Sequence, residues 1–329
     1  MLKKLIRDFN TNKDITIAEN IKSQSLNHYY IKFDTDTSKL NRLITSFDKN
    51  GIPLNTTYID VKEKKLHYYP ISIGQYALAI FNSYIDKNRI EDKEQFLKIA
   101  DWFMDNKIDS DYLGTYWLTH VDKPEYNVFT PWKSAFTQSR ALSVLMRAWQ
   151  ITGDNKYFET CIKSLKIFTI PVEAGGVSSY FTVDKRIELP IFEEYTAEKA
   201  TRVLDGHIFS LFGIHEFIRA NGNSHKESYQ LASNIFQQGI NALIHILPKY
   251  DMGYWVKFNL CEIESYPKND PCTIGYLRLI VKQLEILYLI TNEKTFLNYS
   301  KKFKRYDNTK NVIRMYFEKF NALRKLNRL

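Results

Sequence analysis

Trp149-Gln150-Ile151-Thr152-Gly153-Asp154-Asn155-Lys156-Tyr157-Phe158 and Tyr288-Leu289-Ile290-Thr291-Asn292-Glu293-Lys294-Thr295-Phe296 carry one signal twice. In each, a long apolar segment closes on Ile-Thr, a turn supplies an acid and a lysine, and the next segment opens with a phenylalanine. Ahead of the first turn Leu142, Leu145, Met146 and Trp149 recur at the spacing of one helical face. Leu277, Val281, Leu284 and Tyr288 do the same ahead of the second. A third break, Arg219-Ala220-Asn221-Gly222-Asn223-Ser224, follows Leu204, Ile208, Leu211, Phe212 and His215 at the same spacing. Helix–turn–helix units of this size bury a continuous core when stacked side by side, and closed around an axis they make an (α/α) toroid. The pattern predicts a mainly α chain of helical hairpins from residue 71 onward.

Two stretches depart from helical spacing. Residues 1–66 are polar and partly β-like: Tyr29-Tyr30-Ile31-Lys32-Phe33 reads as a strand, and Thr57–Val61 with Leu66–Tyr69 reads as a hairpin turning at Lys62-Glu63-Lys64-Lys65. Between helices, Gly175 to Val183 reads as a strand or hairpin arm leading through Pro190, a small β excursion near 175–192. In toroids such excursions rim the central cleft. The expected division is an N-terminal β-containing extension over 1–66, an α/α catalytic unit over 67–305 and a basic helical tail over 306–329. In the tail Val312, Ile313, Tyr316, Phe317, Phe320 and Leu323 form the apolar stripe.

The chain has 329 residues, enough for a large core, and 44% of them are hydrophobic. Aromatic residues reach 15%, with 22 Tyr and 21 Phe, and flat rings with polar tips suit sugar-binding clefts. The net charge of +9 favours polyanionic partners, but no nucleic-acid motif accompanies it. Cys161, Cys261 and Cys272 have neither metal-ligand spacing nor an even disulfide count and read as free thiols. The N-terminus lacks the apolar region of a signal peptide and no run is long enough to span a bilayer, so the chain reads as cytoplasmic without membrane insertion. No dinucleotide fingerprint, P-loop or HExxH is present, and no cofactor or metal is expected.

The polar chemistry gathers in three places. Phe192-Glu193-Glu194-Tyr195 puts two acids and a phenol ahead of Asp205-Gly206-His207 and an apolar helix. Gly253-Tyr254-Trp255-Val256-Lys257 and Thr273-Ile274-Gly275-Tyr276-Leu277-Arg278 each place a tyrosine beside a cation. Acid, phenols and cations together are the tools for removing a proton next to a carboxylate. The blander readings are a helix cap or solvated pair for Glu193 and Glu194, core packing for the tyrosines and Trp132, and core or rim positions for His207 and His215.

The chain resembles the D-glucuronyl C5-epimerase family. The matching motifs are Tyr69-Pro70-Ile71-Ser72-Ile73-Gly74-Gln75-Tyr76-Ala77-Leu78, Trp132 with Ser134 to Gln138 and Ala141-Leu142-Ser143, Glu193-Glu194-Tyr195, Leu204-Asp205-Gly206, Gly253-Tyr254 with Lys257, and Tyr276 ahead of Gln283-Leu284. They run in order over roughly residues 50–300. The resemblance implies an incomplete (α/α) toroid preceded by β structure, a homodimer, and action on glucuronate in a heparosan-like acidic polysaccharide. It implies catalytic roles for Glu194, Tyr195, Tyr254 and Tyr276. Substrate contacts would come from Lys257, Arg202, Asp205, Tyr69, Gln75, Trp132, Gln138 and Arg140.

Inversion at C5 needs the uronate carboxylate neutralised, a base on one face of the ring and an acid on the other. Glu194 is the expected base, Tyr276 the opposite-face acid, and Lys257 with Arg202 or Arg140 the cations on the carboxylate. Four positions depart from the family pattern: Lys257 replaces an arginine, Leu277 a histidine, Asp205 an asparagine and Arg140 a glutamine. A uronate lyase working by β-elimination and a catalytically silent polysaccharide-binding protein are the alternatives.

Overall fold

A computed structural model describes residues 15–32, 44–57, 65–184, 186–222 and 224–328. Among these, eight helices form four hairpins in chain order: α1 (Pro70–Lys87) with α2 (Ile90–Asp105), α3 (Ala135–Thr152) with α4 (Asn155–Ser164), α5 (Leu204–Asn221) with α6 (Lys226–Tyr250), and α7 (Ile274–Thr291) with α8 (Lys294–Lys304). Helices α1, α3, α5 and α7 pack on one another in sequence, and each outer partner packs on its own inner helix. The result is an incomplete (α/α) toroid. Helix α5 is buried on nearly every side, which explains why its sequence is apolar almost all round.

The repeated turn has a local cause. Thr152 Oγ1 donates to the Ala148 carbonyl and accepts from Asp154 N–H, while Thr291 Oγ1 donates to Leu287 and accepts from Glu293 N–H. Between them Gly153 (φ 72°) and Asn292 (φ 59°) take the left-handed conformation that ends a helix. Asp154 and Glu293 then cap the outgoing helices through Lys156 N–H and Thr295 N–H. The two turns are one device. Gly213 serves packing instead: a Cβ there would lie 2.5 Å from the Ser139 carbonyl, so glycine lets α5 approach α3 closely.

Inner-to-outer turns are short, and the long connections all run from an outer helix to the next inner one. Because the hairpins alternate, the four inner helices point the same way, and their N-termini share one end with all the long loops. Ser134 caps α3 through Thr137 N–H, but α1, α5 and α7 have no side-chain cap, and their N–H groups and helix dipoles make that end favourable for anions. The antiparallel hairpin of Ser178–Val183 with Ile187–Phe192 stands there, within the expected excursion.

The N-terminal expectations need correction. Residues 29–32 form no strand: Ile31 makes an isolated bridge to Ile17, and Tyr29 and Tyr30 instead turn their rings onto Phe212 of α5. The expected strand at Thr57–Val61 falls largely outside the described residues. The strands seen are Ile44–Phe47, Pro53–Thr56 and Leu66–His67, in one antiparallel sheet. Packing of Tyr29, Tyr30 and Ile52 into the same core as the inner helices overrides local strand propensity. The tail forms α9 (Thr309–Lys325), but the buried side chains are Val312, Met315, Tyr316 and Ala322. Ile313, Phe317 and Phe320 of the expected stripe stay exposed. No helix among the described residues is long and apolar enough to cross a membrane.

Candidate functional site

The loop between the Ile187–Phe192 strand and α5 crosses the N-terminal end of the inner helices. Its first residue is pinned from both sides: Glu193 N–H donates to the Val177 carbonyl at 2.8 Å, and Ala135 N–H at the start of α3 donates to the Glu193 carbonyl at 2.8 Å. The buried Glu193 carboxylate accepts from Ser179 Oγ, from Thr201 N–H and Oγ1, and from Arg202 N–H. Four donors leave it no capacity for a substrate. They hold the far end of the loop, where Arg202 sits at φ 46°, an uncommon conformation for a residue with a side chain. Glu193 is the clamp of this loop.

Glu194 turns the other way, onto the first turn of α5. A Cβ on Gly206 would lie 2.6 Å from Glu194 Oε2, so the missing side chain makes the berth for the carboxyl group. Burial raises the Glu194 pKa, while a hydrogen bond with Tyr195 and the charge of Lys123 oppose that rise. Asp205, one residue into the same helix, is buried too, and its pKa is pushed well above normal by desolvation and then by the Glu194 charge. Asp205 Oδ1 and Gln283 Oε1 of α7 are buried without a hydrogen-bond partner among the described residues. Lys123 and Tyr195 favour the charged form of Glu194, whereas Asp205 has only the Glu194 charge beside it, which favours its protonated form.

Tyr195 is the top of an aromatic stack. Its ring lies 4.7 Å from that of Tyr126 at 17°, and Tyr126 lies 5.1 Å from Tyr266 at 14°. Lys123 Nζ sits 4.9 Å above the Tyr195 ring, and Trp132 packs on its side. Asn259 Nδ2 donates to both the Tyr126 and Tyr266 hydroxyls, and Tyr266 donates to Asp270. Lys123, Tyr126, Asn259, Tyr266 and Asp270 were not expected at the site. The one local hint is the charged and aromatic run Lys123-Pro124-Glu125-Tyr126 between two helical segments; the others lie about 140 residues downstream.

The remaining expected residues divide. Tyr276, in the first turn of α7, is 40% exposed and meets Phe258 edge-on at 5.3 Å. Phe258 in turn accepts at its carbonyl from Leu204 N–H, which joins Tyr276 to the start of α5. Tyr254 belongs to the main core, unlike Tyr195 in the smaller aromatic cluster, and lies beneath Arg314 of α9. Lys257 is half-buried on a bridge to Pro271. Arg202 pairs with Glu262 at 2.5 Å. Tyr69 is buried at the start of α1, and Gln75 is half-buried in the second turn of the helix.

Three expected contact residues are committed to structure. Gln138 spends its amide on the Trp117 and Ser134 backbone, and Trp132 Nε1 donates to the Val121 carbonyl. Arg140 is 0% exposed, with its guanidinium 4.5–4.9 Å from the rings of Tyr29, Phe136 and Phe209. It faces the core between inner helices, so it cannot meet a carboxylate in the cleft. His207 is a core histidine and His215 a half-buried one, held by Phe192 N–H and by Tyr30, and burial lowers their pKa to about 4 and about 3. Two concavities of about 430 and 540 Å³ flank residues 196–202, sharing Val172, Ala197 and Glu198. Neither takes in Glu194, Tyr254 or Tyr276. The larger is lined by Glu173, Glu188, Glu193, Glu198 and Glu262 with Arg202 among them, a net-negative environment that repels a polyanion. The site therefore rests on the helix starts rather than on these concavities. Among the described residues no cluster of His, Cys, Asp and Glu could hold a metal ion.

The sequence pattern described as D-glucuronyl C5-epimerase C-terminus matches residues 111–305. An uncharacterised protein of Methanocaldococcus jannaschii is 28% identical over 188 residues, 57% of this chain and 56% of that one. A D-glucuronyl C5-epimerase of Caenorhabditis elegans is 28% identical over 203 residues, 59% of this chain and 32% of the relative. The matched part thus spans less than two thirds of either relative. A GH76 α-mannanase of Bacteroides thetaiotaomicron superposes with a TM-score of 0.45 and 13% identity over 80% of this chain and 63% of that one. With more than half of its residues matching the family pattern, the chain belongs to the D-glucuronyl C5-epimerase C-terminus family.

Proposed function

We propose that the chain inverts C5 of glucuronate residues within an acidic, heparosan-like polysaccharide, without redox chemistry. The observation that carries this reading is Glu194: a buried carboxyl group with a raised pKa, seated over Gly206 at the starts of α3 and α5 and bonded to Tyr195. A raised pKa makes a carboxylate a stronger base at neutral pH. The uronate carboxylate would rest near the inner-helix N-termini, with Lys257 beside it. Glu194 would take the C5 proton, the electron pair would pass into the uronate carboxylate as an enolate, and the exposed Tyr276 phenol would return a proton from the opposite face. Asp205, holding its own proton, would donate a hydrogen bond rather than compete as a base.

Incubation with glucuronate and iduronate polymers in heavy water tests this reading. Deuterium should enter C5 of both unmodified and inverted residues. Glu194→Gln and Tyr276→Phe should each slow that entry about 100-fold or more. Chain cleavage with an unsaturated, ultraviolet-absorbing end would convert the reading to a lyase. Binding of the polymers without labelling would leave a silent binding protein.

A further inference from the structure

Helix α9 lies beyond residues 111–305, the part that matches the family pattern, yet it and the residues after it reach both Tyr254 and the aromatic stack beneath Tyr195. Near its start the Arg314 guanidinium lies 3.6 Å from the centre of the Tyr254 ring, on the ring face. Further on, Lys319 Nζ pairs with Asp270 at 2.6 Å and Lys325 Nζ donates to the Tyr266 carbonyl at 3.3 Å. Past its end Arg328 pairs with Glu125 at 3.1 Å, and Leu326 packs into the cluster of Tyr126, Tyr195 and Tyr266. A tail that only shielded core would have no need to direct four cations at these residues.

We propose that α9 is a working part of the site, with Arg314 as the positioning residue of Tyr254; its catalytic consequence rests on the epimerase reading above together with the catalytic role that the family resemblance implies for Tyr254. The Tyr254 ring is 7% exposed, and its hydroxyl is buried with no hydrogen-bond partner among the described residues. The guanidinium, over the ring face and bearing on the hydroxyl as well, is the directional contact that fixes the ring. A cation over the face also favours the phenolate, because it attracts the electron-rich ring. The charged groups bearing on this phenol are Arg314, which lowers its pKa, and Glu318, which raises it, both on α9; burial outweighs them, so the pKa stands above the ordinary value. Arg314 is itself exposed, so replacing it leaves the core intact.

Ultraviolet difference titration of the full chain isolates the phenol, as the unmodified chain minus Tyr254→Phe. Repeating it in an Arg314→Gln background should move the midpoint to higher pH. Arg314→Lys should restore it, and Glu318→Gln should move it to lower pH. In the deuterium assay Arg314→Gln should lower kcat about two- to fivefold, the size of an exposed cation–π contact, with KM unchanged and a rescue by lysine. An unmoved midpoint in Arg314→Gln, or a loss of turnover confined to KM, overturns the proposal. The titration needs no substrate. Failure of the unmodified chain to label any uronate, with the midpoint shifts present, would sink the epimerase reading and leave the Arg314–Tyr254 contact standing.

Discussion

Glu193 and Glu194 are adjacent acids with opposite duties, and substitution should separate them. Glu193→Ala removes the acceptor for Thr201 N–H, Arg202 N–H and Ser179 Oγ, while Thr201 Oγ1 keeps a second partner in the Tyr195 carbonyl. Each stranded buried backbone donor costs about 1–3 kcal/mol, so the two together cost about 2–6 kcal/mol. Removing a carboxylate whose pKa is raised by burial returns part of that, leaving a net loss of about 2–4 kcal/mol. Glu193→Gln should behave differently. Its amide oxygen can occupy the Oε2 position facing Thr201 and Arg202, and Ser179 can rotate to accept from the amide, so the change should stay within about 1 kcal/mol. Urea denaturation measures both. Deuterium entry at C5 should survive Glu193→Gln and collapse in Glu194→Gln. If Glu193→Ala unfolds within about 0.5 kcal/mol of the unmodified chain, or Glu193→Gln is as damaging as alanine, the clamp assignment is wrong.

Three further outcomes follow from the groups around Glu194. Asp205 has a folded pKa well above its unfolded one, so the folded state binds more protons and stability falls as pH rises from about 4 through the folded pKa. Asp205→Asn should therefore stabilise the chain at pH 8 and do little at pH 4.5; equal gains at both would refute the argument. The Lys123 charge holds the Glu194 pKa down, so Lys123→Met should move the acidic limb of the labelling rate to higher pH, read from a rate–pH profile. Gly206→Ala sets a gain of about 1 kcal/mol in helix propensity against a Cβ lying 2.6 Å from Glu194 Oε2. Labelling should drop about ten- to a hundredfold as the carboxyl group is displaced; an unchanged rate would show that the berth over Gly206 is not the working position.

The amino-acid sequence by itself determined the helical hairpins. Thr152-Gly153-Asp154 and Thr291-Asn292-Glu293 are closed by hydrogen bonds that reach at most four residues along the chain, and the helix faces follow from apolar spacing alone. It also placed the β excursion and the acid pair, because Gly175-Gly176, Pro190 and two carboxylates before an apolar helix each signal locally. Tertiary structure decided the rest. Which acid clamps and which is free for chemistry depends on Ser179 and Thr201, on opposite sides of the pair in sequence. Arg140 and Gln138 are polar residues in an apolar helix, which reads as a site until Trp117, Tyr29, Phe136 and Phe209 are seen to enclose them. The Tyr126–Tyr266 contact joins residues 140 apart, and no periodicity carries that information. Helix α9 has apolar residues on two faces, and the one it buries was selected by the surface it meets. Hydrogen bonding within a turn is encoded where the residues are adjacent; the burial and pKa of a carboxyl group come from everything packed around it, and only the folded chain assembles that.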